Sequence, residues 1–74
     1  MIKKDKNMNL LSIHEKDIVR KILDERGVAG PARINYYNFA RELKAKKPLN
    51  ELIEKYLQRG CDEAILNILA LLFK

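Results

Sequence analysis

Residues 61–74 read CDEAILNILALLFK, and this stretch decides how the rest of the chain folds. Between Ala64 and Phe73 the only polar residue is Asn67. A helix that is apolar on all sides is either surrounded by its own protein or packed against another molecule. The pattern therefore predicts a helix over residues 62–73 that forms the centre of a small core.

One stripe of this C-terminal helix is enough to build an internal core. Residues three and four apart share a helix face, and that stripe contains Ile65, Ile68, Leu69 and Leu72. The remaining large apolar side chains point elsewhere, and they are Leu66, Leu71 and Phe73. Because a large exposed apolar patch marks an interaction site, we predict that these three residues mediate self-association about a two-fold axis or bind another protein. The alternative is a central helix that the other helices cover on every side.

Length and composition indicate one small globular domain. The chain has 74 residues and a single cysteine, Cys61, which excludes a disulfide bond within one chain. No set of cysteine and histidine residues has the spacing of a metal site, so we predict neither a metal nor another cofactor. No apolar run approaches the roughly 20 residues that cross a bilayer. We expect a cytoplasmic protein without a membrane partner.

Local signals divide the chain into a tail and four helices. Residues 1–11 are rich in Lys and Asn and are predicted to form a flexible basic tail, followed by a single helical domain over residues 12–74. Ser12 and Glu15 have the spacing of a capping box. Gly27 and Gly60 are predicted to end the first and third helices, and Asp62 is predicted to cap the fourth. The helices are predicted at about 12–26, 31–46, 48–59 and 62–73.

Two prolines help to define the second and third helices. Pro31 suits the first turn of a helix, where its missing N–H is not needed, although Asn35 is an alternative cap. Pro48 pushes the residue before it out of helical geometry and opens the third helix. The buried stripe of the second helix is predicted to contain Ala32, Tyr36, Phe39, Ala40 and Leu43. No alternating pattern typical of a strand is present, so the predicted fold class is all-α, a compact array of four short helices.

The net charge of +5 is concentrated in two segments. The tail carries three lysines against one aspartate, and residues 31–47 carry five cations against one glutamate. Cations interleaved with an aromatic ring are typical of surfaces that bind nucleic acid through phosphates and stacking. We predict a surface of this kind, without sequence specificity, at Arg33, Tyr37, Arg41, Lys44, Lys46 and Lys47. The alternative is an ordinary solvated helix face.

A helix-turn-helix motif fits residues 35–59 poorly. The turn at Lys47 and Pro48 is shorter than the usual three to four residues and lacks the usual glycine. The helix that would read the bases carries Glu51 and Glu54 on its polar face, whereas a recognition helix presents hydrogen-bond donors. Base-specific readout is therefore not expected.

No residue pattern indicates catalysis. His14 lies in the first turn of a helix without a matching carboxylate, and we predict that it is exposed. Cys61 precedes a helix N-terminus, an environment that favours a thiolate, but the neighbouring Asp62 and Glu63 oppose that effect. Phosphate-binding loops and nucleophile elbows are absent from the sequence. We therefore predict no catalytic residues and a small basic binding protein, self-associating, with nucleic acid as its leading ligand. The alternative function is a protein-interaction module, an adaptor or small inhibitor, that uses the C-terminal helix.

Overall fold

Four α-helices make up the part of the chain that the computed structural model describes, residues 11–73. They are α1 (Ile13–Glu25), α2 (Ala32–Lys44), α3 (Leu49–Gln58) and α4 (Glu63–Phe73). This range contains no β-strand, and the predicted all-α array of four helices is confirmed. Most of the predicted tail lies outside the described residues, so its flexibility stays a prediction. Leu11, the last residue of that tail, is buried in the core.

The start of α1 is held by the capping box that the sequence predicts. The Ser12 hydroxyl accepts a hydrogen bond from the backbone N–H of Glu15 at 3.1 Å, and the Glu15 carboxylate accepts one from the N–H of Ser12 at 3.0 Å. Two of the backbone donors that a helix start leaves unpaired are satisfied in this way. The local sequence therefore determines where α1 begins.

Helices α1, α2 and α3 all end in the same backbone arrangement. A residue with positive φ follows each helix: Gly27 at 74°, Lys46 at 67° and Gly60 at 92°. The backbone N–H of the next residue donates a hydrogen bond to a carbonyl oxygen in the last turn of the helix. These bonds run from Val28 to Leu23, from Lys47 to Glu42 and from Cys61 to Tyr56. These bonds define a Schellman motif, which satisfies carbonyls that the helix leaves free. The sequence predicts that Gly27 and Gly60 end α1 and α3. At the end of α2 the same left-handed conformation is adopted by Lys46, which is not a glycine.

The starts of α2 and α4 show which of the predicted caps are used. Helix α2 begins directly after Pro31, and Asn35 lies inside it, so the alternative start at Asn35 is wrong. The Asp62 carboxylate caps α4 by accepting a hydrogen bond from the N–H of Ala64 at 2.8 Å. The N–H of Asp62 donates to the Tyr36 hydroxyl at 2.7 Å, which ties this cap to α2.

Helices α2 and α4 form the central pair of the fold. Their mutual contact is the most extensive between any two of the four helices, and each of them also contacts both α1 and α3. Helices α1 and α3 flank this pair and share no contact in the described range. The core includes an edge-to-face pair between Phe39 and Tyr56, whose ring centroids are 5.5 Å apart. Such a pair adds about 0.5–1.5 kcal/mol beyond the area it buries.

Two predictions about the core stripes are wrong. Ala32 is exposed, because it occupies the first turn of α2, before that helix reaches α4. Leu72 is 53% exposed, because the buried face of α4 is rotated by about one residue from the predicted stripe. The buried residues of α4 are Ile65, Leu66, Leu69, Ala70 and Phe73.

Candidate nucleic-acid interface

The predicted basic face of α2 lies mainly along the contact between α1 and α2. Arg33 pairs with Asp24, and its Nε donates to the Val28 carbonyl oxygen at 2.8 Å. Lys44 pairs with Glu15 at 2.8 Å. The start of each helix therefore lies beside the end of the other, so the two helices are antiparallel with an ion pair near each end. Arg33 and Lys44 contribute to this contact, and their charges are largely compensated.

Lys47 belongs to a second group of ionic contacts, centred on Glu42. The Glu42 carboxylate lies 3.7 Å from Lys47 and 3.3 Å from Lys55, and it accepts a hydrogen bond from the Tyr56 hydroxyl. Burial disfavours the charged carboxylate, but the bonds from Tyr56 and Lys55 outweigh it, so the pKa of Glu42 is lowered. Glu42 thereby connects α2 to α3 and to the turn between them.

Arg41 and Lys46 are the two cations of the predicted set that have no carboxylate partner within residues 11–73. The side chain of Arg41 is partly buried, with Nη1 donating to the Asn38 amide oxygen at 2.9 Å. Its Nε is buried without a hydrogen-bond partner in the described part of the chain. Lys46 is exposed. Of the five predicted cations, these two are the ones without an ion pair in the described part of the chain.

Tyr37 lines an open depression between α1 and α2. The depression has a volume of about 630 Å³, within the range of roughly 300–1,000 Å³ typical of ligand sites. Its lining consists of Ile13, His14, Lys16, Asp17, Arg20 and Tyr37. The tyrosine is partly buried, whereas Ile13 is 86% exposed. An aromatic ring and an exposed aliphatic side chain therefore share a concave surface with cationic groups.

The charges around this depression are unequally compensated. Arg20 pairs with Asp17 and, at 3.4 Å, with Asp24. The hydrogen bond from Arg20 lowers the pKa of Asp17 and holds it as a carboxylate. Lys16 has no carboxylate partner among residues 11–73. Among the described residues, the depression thus presents an ammonium group without an ion pair, a shared guanidinium group and a carboxylate that lies 3.6 Å from Lys21 as well.

Lys16 and Arg20 are site candidates that the sequence analysis missed. Residues 12–26 carry equal numbers of positive and negative charges. The net charge of this segment is therefore zero and does not indicate a cationic surface. A signal was present in the spacing, since Ile13, Lys16 and Arg20 are three and four residues apart and therefore share one helix face. Only the packing of α1 against α2 brings that face to Tyr37.

The C-terminal residues predicted to mediate self-association do not share one exposed face. Leu66 is 0% exposed and Phe73 is 8% exposed, so the expectation that they point away from the core is wrong. Both are covered because α4 packs against all three other helices. Leu71 is 84% exposed and next to it Leu72 is 53% exposed. The accessible apolar surface of α4 is therefore formed by these two leucines.

His14 and Cys61 lie in different surroundings in the described part of the chain. His14 is exposed at the edge of the depression. Cys61 is buried, and burial raises the pKa of its thiol, which disfavours the reactive thiolate.

Within residues 11–73, no group of three or more His, Cys, Asp or Glu side chains is arranged to hold a metal ion. Over the same range, none of the helices has the length and apolar character needed to span a membrane.

Comparison of the chain with family models, curated proteins and solved structures finds no match.

Proposed function

We propose that this chain is a cytoplasmic, non-enzymatic binding protein that holds nucleic acid through its phosphates. The surface we propose, called the basic face below, is formed by Lys16, Arg20, Tyr37, Arg41 and Lys46. The observation that carries the proposal is the depression between α1 and α2, where an aromatic ring lies among cationic side chains. Phosphate contacts by Lys and Arg supply most of the affinity in non-specific nucleic-acid binding.

The end of α2 and the start of α1 meet at one end of the basic face, and lysines are close to both in the sequence. The pair between Lys44 and Glu15 puts the end of α2 beside the start of α1. Lys46 follows α2 at this end, and the three lysines at positions 3, 4 and 6 precede α1 in the sequence. Binding of an extended anionic polymer here would release counterions from several contacts at once.

The experiment compares two double variants with the same change in charge. Lys16→Gln with Arg20→Gln alters the basic face, and Lys55→Gln with Arg59→Gln alters one residue of α3 and the residue directly after it. Within residues 11–73, α3 does not contact α1. Arg33 and Lys44 are left intact because their ion pairs with Asp24 and Glu15 join α1 to α2. Binding of a labelled duplex is followed by fluorescence anisotropy at about 50 mM and about 200 mM salt.

We expect the wild-type affinity to fall steeply with salt. Replacing two phosphate contacts should reduce the slope of log affinity against log salt by about 1.8 for a duplex. The α3 variant should keep nearly the wild-type slope. Equal weakening by both double variants would mean that only the net charge matters, and salt-independent curves would exclude phosphate binding.

The alternative function, a protein-interaction module that uses α4, is favoured by a separate observation. Leu71 and Leu72 are consecutive exposed leucines in the last turn of this helix. Exposed apolar groups that are contiguous indicate an interaction surface more strongly than the same groups scattered singly. On this alternative the partner is a second copy or a different protein, and the basic face is solvated surface. Leu71→Glu tests whether the partner is a second copy, because it would convert such a dimer into a folded monomer.

A further inference from the structure

The lining of the depression has a distribution of charge that favours one part of a nucleic acid over another. Asp17 contributes a carboxylate to the lining, and its lowered pKa keeps it ionised. A phosphate group beside Asp17 would therefore be repelled by this carboxylate. A neutral, planar group meets no such repulsion, and the Tyr37 ring and the Ile13 side chain offer it apolar surface.

The cations that line the same depression, Lys16 and Arg20, suit phosphate groups. Lys16 has a side chain with no carboxylate partner in the described part of the chain, and Arg20 shares its guanidinium group between Asp17 and Asp24. A lysine on a flexible stem and a planar arginine both bind phosphate. One nucleotide unit contains both chemistries, a flat base and a charged phosphate, separated by a sugar.

We propose that the depression receives an unpaired base of a single-stranded nucleic acid. The base stacks on Tyr37 beside Ile13, the adjacent phosphates contact Lys16 and Arg20, and Asp17 accepts a hydrogen bond from an N–H group of the base. This inference rests on the proposed function and specifies its ligand as a single strand. In a duplex the bases are stacked on one another and paired, so their faces do not reach a concave site on a protein surface.

The experiment measures how much of the affinity comes from the base. The full 74-residue chain is titrated into four labelled ligands of about 12 nucleotides: oligo-dT, oligo-rU, an abasic strand with the same backbone as oligo-dT, and a duplex. We expect oligo-dT to bind about tenfold or more tightly than the abasic strand, since stacking on an aromatic ring contributes substantially for each base. Oligo-dT and oligo-rU differ in the sugar 2′-OH and in the C5 methyl group of the base, so equal affinities would show that neither group affects binding.

Three single variants connect this preference to the depression. Tyr37→Ala should remove most of the difference between oligo-dT and the abasic strand, whereas Tyr37→Phe should keep it. Ile13→Ser should reduce the difference without affecting the fold, because the Ile13 side chain is 86% exposed. Ile34→Ser is its matched control, since Ile34 is 59% exposed on α2 and does not line the depression. Circular dichroism verifies that each variant is folded.

The possible failures separate this inference from the proposed function. If the abasic strand and the duplex bind as tightly as oligo-dT, with the same dependence on salt, phosphate binding stands and the base site is excluded. The base site is also excluded if Ile13→Ser and Ile34→Ser both leave the preference for oligo-dT unchanged. If no ligand binds at low salt, both proposals fail.

Discussion

Lys46 occupies a backbone position that glycine occupies at the ends of α1 and α3. Its φ of 67° lies in the left-handed region, where the side chain of an L-residue costs roughly 1–2 kcal/mol. The backbone N–H of Lys46 donates a hydrogen bond to the Leu43 carbonyl oxygen. The backbone N–H of Lys47 donates to the Glu42 carbonyl oxygen, and the Lys47 side chain forms an ion pair with the Glu42 carboxylate. An ionic contact at Lys47 thus replaces the apolar contact that usually accompanies this motif.

Replacing Lys46 with glycine should therefore stabilise the protein while weakening its binding. We expect Lys46→Gly to raise the free energy of unfolding by about 0.5–1 kcal/mol, because the relieved strain exceeds the extra entropy of glycine in the unfolded chain. Urea denaturation followed by circular dichroism measures this change. Ala45→Gly is the control and should not stabilise, since Ala45 has φ of −82°. If Lys46 belongs to the basic face, the same variant binds nucleic acid less tightly, and a stabilised variant with unchanged affinity would remove Lys46 from that face.

At the scale of one element, α4 has two faces that differ sharply in burial. Leu66 and Leu71 are five residues apart, yet they are 0% and 84% exposed. Leu66→Glu would bury a charge without a partner, at a cost of several kcal/mol, against a total stability of about 4–11 kcal/mol for a chain of 74 residues. We expect this variant to be unfolded by circular dichroism and Leu71→Glu to fold normally.

The same pair of variants tests self-association. Size-exclusion chromatography with light scattering gives the mass of the wild type and of Leu71→Glu. If α4 joins two copies, the wild type is a dimer and Leu71→Glu is a folded monomer. A monomeric wild type would contradict self-association, and a folded Leu66→Glu would contradict the burial of Leu66.

The helix limits could be predicted from the sequence, whereas the orientation of α4 could not. The capping box at Ser12, the glycines at positions 27 and 60 and the Asp62 cap are local signals, and each has the predicted effect. Because α4 is apolar nearly all round, its hydrophobic pattern does not define which face is inside. The informative residue was Asn67, which is exposed together with Ala64 and Leu71, three residues before it and four after it. One polar residue in an apolar helix thus marks the solvent side better than the best apolar stripe.

The candidate site was less predictable because it depends on how the helices pair. Arg33 and Lys44 lie on the predicted face of α2, but their acidic partners, Asp24 and Glu15, belong to α1. Sequence spacing within α2 contains no information about these partners. For the same reason the contribution of Lys16 to a common surface with Tyr37 emerges only from the antiparallel packing.

Across the whole molecule, carboxylates connect different helices. Glu15 joins α1 to α2 through Lys44, and Glu42 joins α2 to α3 through Lys55 and Tyr56. The hydrogen bond from Lys44 and the one from the Ser12 backbone lower the pKa of Glu15. The pKa of Glu42 is also lowered, since its hydrogen bonds outweigh the effect of burial. Protonation of either group removes an interaction between helices.

The sign of these two shifts predicts that acid destabilises the fold. A carboxylate whose pKa is lower in the folded than in the unfolded state contributes stability above its ordinary pKa, which is 4.5 for these glutamates. That contribution is lost as the pH falls through the folded pKa. The contribution of Glu15 and Glu42 to the free energy of unfolding should therefore be constant from about pH 7 to pH 5.5 and decrease below about pH 4.5.

Glu42→Gln should reduce that dependence on acid. The amide retains an acceptor for the Tyr56 hydroxyl but carries no charge, so we expect it to lower stability at about pH 7 by roughly 1–2 kcal/mol. Below about pH 4 its stability should approach that of the wild type, because the wild-type carboxylate is then increasingly protonated. Glu54→Gln makes the same change at an exposed residue without an ion pair in the described range, and its curve should run parallel to that of the wild type. Urea denaturation at several pH values between about 7 and 3 measures all three proteins. A constant difference between Glu42→Gln and the wild type over this range would show that the charge on Glu42 does not stabilise the contact between α2 and α3.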